Sequence, residues 1–83
     1  MTHVLNKVWM GLPIKVITSK NLSLVGLEGV VVDETQNMIK METKQGIRNV
    51  QKSAGVFAID GHRVVGSEVV LSPHERMKIK VTN

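Results

Sequence analysis

The side chains with the clearest chemical potential in this sequence are its lysines and arginines, which suit the binding of phosphate groups. The 83 residues include 11 Lys and Arg against 7 Asp and Glu, a formal net charge of +4. Residues 1–27 contain no acid, and residues 38–52 and 72–83 contain one each. Brought together on one face, these basic segments would form a footprint for a polyanion. An ordinary solvated surface explains the same net charge equally well.

We therefore expect RNA contacts among the cations of these three segments. The candidates are Lys15, Lys20, Lys40, Lys44, Arg48, Lys52, Arg76, Lys78 and Lys80. The chain has one Trp, one Phe and no Tyr, so it offers few rings on which bases could stack. Contacts with RNA should then depend on backbone charge and shape.

The residue types that perform catalysis or hold metals do not form a recognisable pattern. There is no cysteine, and His3, His62 and His74 lie far apart without the spacing of metal ligands. Asp33 and Glu34 are adjacent, so on a strand their side chains would face opposite ways and could not act as an acid–base pair. We expect no catalytic residue, no metal and no cofactor in this chain.

The length and composition indicate one small domain spanning residues 1–83. No apolar run approaches the roughly 20 residues of a membrane span, and nothing resembles a signal peptide. The absence of cysteine fits a reducing compartment. We expect a cytoplasmic protein with no membrane partner.

The elements that must position the cations are short strands. In residues 23–39, Gly26 and Gly29 precede three valines, an acidic-polar turn and an apolar pair, which is typical of loop, strand, turn and strand. The same signals predict further strands along the chain. The six predicted strands cover residues 12–19, 27–33, 38–43, 47–52, 56–59 and 63–71.

The apolar positions predict where the core lies. Ile39, Met41, Phe57 and Ile59 should point inward, and three successive valines at 30–32 imply burial on both faces of the second strand. Together these features predict an all-β fold, a small barrel of about six antiparallel strands spanning about residues 12–71.

Short helices are expected at both ends of the barrel. The first should run from about residue 3 to residue 10, and a final turn or helix should cover about residues 73–80. The first helix is too short to stand alone, so it must dock. Trp9 suits a core or capping residue, and a contact with a partner, shared with Val8, is the alternative.

These features resemble protein component 1 of archaeal ribonuclease P, a relative of the eukaryotic 29-kDa protein subunit. The hallmark is Gly-Val-Val-Val-Asp-Glu-Thr-x-Asn, present as residues 29–37. Further matching steps occur in the same order along the chain. They are Trp9–Leu12, Val16–Ser19, Asn21–Gly26, Lys52, Phe57 with Ile59, Val64 with Gly66, and Ser72–Arg76. Leu22, Gln51, Ser72 and His74 depart from the usual residues of the family.

The resemblance implies an Sm-like, SH3-type barrel in a subunit of ribonuclease P, the ribonucleoprotein endoribonuclease that removes the 5′ leader of precursor tRNA. It implies that the RNA carries the catalytic magnesium and that the chain alone is inactive. It also implies a zinc-ribbon protein subunit as partner, with which the chain binds the specificity domain of the RNA. The N-terminal region and one side of the barrel would face that partner.

Three other classes of protein remain open at this point. A ribosomal or elongation-factor-like SH3-type barrel that binds RNA has the same glycine-valine bend and basic hairpins. A true Sm protein would form rings through its strand edges. A self-sufficient nuclease would need a clustered pair of acids, which this sequence lacks.

Overall fold

The computed structural model describes residues 8–76, and for Pro73 and Arg76 it describes the backbone alone. Six antiparallel strands form one sheet in the order β4-β3-β2-β1-β5-β6. The strands are β1 Pro13–Ser19, β2 Glu28–Glu34, β3 Met38–Thr43, β4 Gly46–Gln51, β5 Gly55–Ile59 and β6 His62–Val65. Three 3-10 turns and one short helix complete the described chain, at Leu22–Leu24, Lys52–Ala54, Gly66–Val69 and α1 Pro73–Arg76.

The predicted all-β fold is confirmed, and five strands lie where the sequence placed them. The third strand matches its predicted bounds, and the first, second, fourth and fifth agree to within one residue at each end. The sheet curls so that the turns following β4 and β6 meet. Gly66 lies so close to Lys52 that a Cβ added to the glycine would overlap the lysine carbonyl oxygen. The two edge strands therefore converge at one end, as in a small barrel.

The core lies on the inner face of this curled sheet. It consists of Trp9, Ile14, Val16, Val31, Ile39, Met41, Val50, Phe57, Ile59, Val64 and Val69. The inward orientation predicted for Ile39, Met41, Phe57 and Ile59 is confirmed. Burial of these side chains against one another is the main force that holds the sheet in its curled form.

The prediction that both faces of β2 are buried is wrong. Val31 is buried, but Val30 and Val32 are 43% and 37% exposed. Among residues 8–76, no helix covers the outer face of β2, and the register shifts between Val31 and Asp33. A single layer that closes on itself buries only its inner face, so the run of valines did not indicate a second covering layer.

The sixth strand is shorter than predicted. It ends at Val65, and residues 66–69 form a 3-10 turn instead of continuing to residue 71. The cause is the close approach of Gly66 to the backbone at Lys52 and Gly55, which turns the chain away from β5. Val69 then packs into the core.

The predicted N-terminal helix is wrong for residues 8–10, and its residues 3–7 lie outside the described chain. The segment before β1 runs beside β2: Gly11 N donates to the Val31 carbonyl at 2.7 Å, and Val31 N donates to the Leu12 carbonyl at 3.0 Å. Gly11 adopts a φ of 87°, which favours glycine. At the other end, α1 falls within the predicted span of 73–80, of which residues 77–80 lie outside the described chain.

Two tight turns help to shape the barrel. In the β2–β3 turn, Thr35 N donates to the Met38 carbonyl at 2.9 Å and Met38 N donates to Thr35 Oγ1 at 3.2 Å. The β5–β6 turn places Asp60 and Gly61 at φ of 52° and 81°, the left-handed values of a tight hairpin. Within residues 8–76, none of the helical segments has the length and hydrophobicity needed to span a bilayer.

Candidate nucleic-acid interface

Five of the predicted RNA-binding cations lie on the surface of the barrel. They are Lys15, Lys20, Lys40, Lys44 and Arg48, all exposed. The Arg76 backbone ends α1, its side chain is not described, and Lys78 and Lys80 lie outside the described residues. Lys52, the ninth predicted cation, is buried.

The β3–β4 hairpin distributes its three exposed cations over two faces and a tip. Lys40 alternates with the inward Ile39 and Met41, so it belongs to the outer face. Arg48 pairs with Met41 across the strands and therefore belongs to the inner face, on the strand that forms one edge of the sheet. Lys44 lies in the turn between the two strands. The hairpin thus presents positive charge from both sides, and it does not form the single basic patch that clustering in the sequence suggested.

Two shallow grooves flank this hairpin. One, of about 240 Å³, is lined by Asp33, Glu34, Thr35, Met38, Lys40 and Asn49. The other, of about 220 Å³, is lined by Gly26, Leu27, Glu28, Thr43, Lys44 and Gln45. Each groove mixes one lysine with at least one carboxylate and is open to solvent. A nucleic-acid backbone could lie along either groove. Neither groove is enclosed in the way that a catalytic cavity encloses its substrate.

Among residues 8–76, no three His, Asp or Glu side chains lie close enough to hold a metal ion. His62 and His74 are both exposed and lie on separate elements, the former in β6 and the latter in α1. Asp33 and Glu34, which are adjacent in the sequence, differ in environment because Asp33 is exposed and Glu34 is buried. Asp33 and Glu34 therefore do not form a carboxylate pair suited to hydrolysis.

The sheet also brings together two cations that are distant in the sequence. Lys15 on β1 pairs with Ala58 on β5, and Ala58 pairs with Arg63 on β6. With strands about 4.8 Å apart, the backbones of Lys15 and Arg63 are separated by roughly 10 Å on one face. Arg63 was missed as a candidate because no other Lys or Arg lies near it along the chain. Only the strand order places it near Lys15.

Lys15 is partly neutralised by its other neighbour. Its Nζ lies 3.6 Å from Oε1 of Glu28 on β2, and the two side chains are 54% and 70% exposed. An ion pair this exposed contributes little to stability, because solvent screens the attraction. Lys15 can therefore exchange Glu28 for a phosphate at small cost.

Lys52, which was predicted to contact RNA, has its side chain buried in the structure, away from the surface. Its Nζ lies 2.8 Å from Oε2 of Glu34, and their side chains are 0% and 2% exposed. The same Nζ donates to the Leu71 carbonyl oxygen at 2.8 Å and lies 5.4 Å from the centroid of the Trp9 ring. A buried ammonium needs such partners, because removing its charge from water is costly.

The structure separates the two predicted partner-binding residues. Trp9 is fully buried in the core, so the core interpretation is the one that its position supports. Val8 remains about half exposed and precedes the segment that runs beside β2.

Val30 and Ile47 flank Glu42 across neighbouring strands, and together with Val32 they leave apolar surface on the outer face.

The comparisons with known proteins agree with this architecture. The sequence model of the family described as ribonuclease P/MRP, subunit p29, matches residues 2–79. Ribonuclease P protein component 1 of Archaeoglobus fulgidus is 39% identical over 74 residues, which cover 84% of this chain and 72% of that protein. The same component of Staphylothermus marinus is 40% identical over 75 residues, covering 83% of this chain and 82% of that protein.

A solved structure shows the same likeness in three dimensions. It is described as a homologue of the human RNase P protein Rpp29, and it superposes with a TM-score of 0.61 at 30% sequence identity, covering 84% of this chain and 97% of that one. Fold, order of motifs and sequence identity thus agree over most of the chain. The chain belongs to the ribonuclease P/MRP subunit p29 family, whose members are protein subunits of ribonuclease P.

Proposed function

We propose that this chain binds the RNA of ribonuclease P through exposed cations of its barrel and so supports removal of the 5′ leader from precursor tRNA. The observation that carries the proposal is the placement of cations on rigid strands and tight turns of a p29-family barrel. Neutralising phosphates releases counterions, which supplies affinity without sequence readout. Specific recognition then depends on the shape of the folded RNA.

The β3–β4 hairpin is the main RNA-binding element in this proposal. Lys40, Lys44 and Arg48 lie on its outer face, tip and inner face, so the hairpin can lie between two RNA segments and contact both. The Lys15–Arg63 row on the other half of the sheet extends the footprint.

The chemistry of cleavage belongs, in this proposal, to the RNA and its bound magnesium. Among residues 8–76, no group of three or more His, Asp or Glu side chains could hold a metal ion for hydrolysis. The role of the chain is to stabilise the folded RNA, most directly its specificity domain. Alone, it should not cleave precursor tRNA.

We also propose that the outer face of β2 and the segment preceding β1 contact a zinc-ribbon protein subunit. Val8, Val30 and Val32 offer exposed apolar surface there, and hydrogen bonds between Gly11, Leu12 and Val31 hold the segment beside the strand. Apolar side chains surrounded by polar ones are typical of the centre of a protein interface. In this proposal Trp9 supports the surface from below, without touching the partner.

Reconstitution tests the function directly. Cleavage of precursor tRNA is measured with a candidate ribonuclease P RNA and its partner subunits, with and without this chain, and with the chain alone. We expect the chain to raise the cleavage rate only when the RNA is present. Stimulation that a ribosomal RNA-binding barrel matches equally would contradict the assignment.

Salt-dependent binding tests the proposed interface. We test the triple variant Lys40→Ala, Lys44→Ala, Arg48→Ala. The negative slope of log K against log salt concentration should become less steep by about three units, one for each phosphate that the hairpin no longer neutralises. The matched control Gln45→Ala changes the same turn without changing charge and should leave the slope unaltered. An unchanged slope in the triple variant would remove the hairpin from the interface.

A further inference from the structure

We propose that Lys52 is a positioning residue. Its ammonium holds the segment before β1 and the segment after β6 to the end of β2. This clasp, defined by Lys52, Glu34, Leu71 and Trp9, fixes the start of α1 and the segment leading into β1. The proposal rests on the function proposed above, since α1 ends at Arg76, a predicted RNA-binding cation, and the segment leading into β1 belongs to the surface proposed for the protein partner.

The geometry of the clasp joins parts of the chain that no local structure connects. Lys52 Nζ donates to Glu34 Oε2, 18 residues earlier, and to the Leu71 carbonyl, 19 residues later. Its charge also lies 5.4 Å from the centre of the Trp9 ring, within the range of a cation–π interaction. One side chain thus contacts the segment before β1, the end of β2 and the segment after β6.

Stability alone is a poor explanation for such an arrangement. Replacing a buried ion pair by apolar residues of similar size is often neutral or stabilising, because two charges no longer have to leave water. What apolar residues cannot provide is a bond directed at a particular backbone atom. The bond to the Leu71 carbonyl fixes the chain two residues ahead of α1, which begins at Pro73.

The backbone of Lys52 is held independently of its side chain. Lys52 N donates to the Asn37 carbonyl at 2.8 Å, and the Lys52 carbonyl oxygen lies against Gly66, where a Cβ would overlap it. Neither contact involves the lysine side chain, so both should remain when that side chain is changed. Substitution therefore removes the clasp and leaves the closure of the barrel in place.

The decisive variant is the double substitution Lys52→Met with Glu34→Leu, which keeps the buried volume and removes both charges. Unfolding in urea followed by circular dichroism should show stability equal to or above that of the parent. The rate of hydrogen–deuterium exchange at the amides of residues 70–72 should nevertheless rise about tenfold. Local opening of this segment would no longer require breaking the hydrogen bond from Lys52 Nζ to the Leu71 carbonyl. The affinity for ribonuclease P RNA should fall in the same variant.

Two further variants keep the test decisive. Val50→Ala lowers stability from a core position outside the clasp, so its exchange at residues 70–72 should change no more than its global stability requires. Glu34→Gln keeps an oxygen acceptor for Lys52. Once the exchange of each variant is corrected for its own change in global stability, the amides of residues 70–72 should exchange more slowly in Glu34→Gln than in Lys52→Met. This comparison stands even where the double variant folds poorly.

The outcomes separate the clasp from the proposed function. Exchange at residues 70–72 that stays at the parental rate in the double variant would overturn the clasp. Faster exchange with unchanged affinity for RNA would overturn its positioning role. Failure of the parent protein to bind ribonuclease P RNA would refute the proposed function, and the exchange measurements would still decide whether the clasp exists.

Discussion

Gly66→Ala should destabilise the fold sharply, because the added methyl group has no room at the point where the barrel closes. Its Cβ would overlap the Lys52 carbonyl oxygen and lie 2.6 Å from that carbonyl's carbon and 2.7 Å from the Gly55 oxygen. All of these atoms belong to the backbone, so no change of rotamer can relieve the contact. The two strand ends must move apart or the core must deform.

The size of the effect follows from two opposing terms. Overpacking costs about 1–3 kcal/mol, and a clash with backbone falls at the upper end of that range. Replacing glycine also reduces the entropy of the unfolded chain, which returns about 0.4–1 kcal/mol. The free energy of unfolding should therefore fall by about 2 kcal/mol. For a domain of this size that corresponds to a decrease in Tm of roughly 8–16 °C.

Urea denaturation measures this loss, and the buried Trp9, the sole tryptophan, provides the fluorescence signal. Gly61→Asn is the matched control. Gly61 has a φ of 81° with no heavy atom within 4 Å of an added Cβ, and asparagine tolerates that backbone conformation. The control should lose no more than about 1 kcal/mol. A Gly66→Ala protein as stable as its parent would refute the close approach of the two strand ends.

The remaining predictions test other parts of the molecule. At Gly29, an added Cβ would overlap the Glu42 carbonyl oxygen, so Gly29→Ala should also lower Tm in a thermal melt. Trp9→Ala should lower the free energy of unfolding by about 3–5 kcal/mol in urea, as expected for a core residue. Arg63→Ala should lower the salt slope of RNA binding by about one unit. Val32→Ser should change stability by less than about 0.5 kcal/mol and weaken binding of the zinc-ribbon subunit, measured by calorimetry.

The strands could be predicted because their signals are local. Alternation of Ile39 and Met41 with polar neighbours defines β3, and the Asp60–Gly61 pair supplies the left-handed turn between β5 and β6. Such features depend on residues within one strand or one turn. They do not depend on what lies across the sheet, so they can be recognised from the sequence alone.

The ends of the barrel could not be predicted in the same way. Val8 and Trp9 fit a helical face, yet no helix forms there, and the next residues, Gly11 and Leu12, pair with the Val31 backbone of β2. Val69 and Val70 read as strand, yet contact between Gly66 and Lys52 ends β6 first. In both places a long-range contact overrides the local preference of the residues.

The cations show most clearly what local sequence signals miss, because the role of a charged side chain depends on its neighbours across the sheet. Lys52 belongs to a basic segment in the sequence, but the fold places it against Glu34 and removes it from the surface. Arg63 has no other Lys or Arg near it in the sequence, but strand pairing places it on an exposed face with only β5 between it and Lys15. Counting charges along the chain therefore predicts only the kind of ligand, a polyanion. Which cations can reach it depends on the topology that this family's barrel imposes.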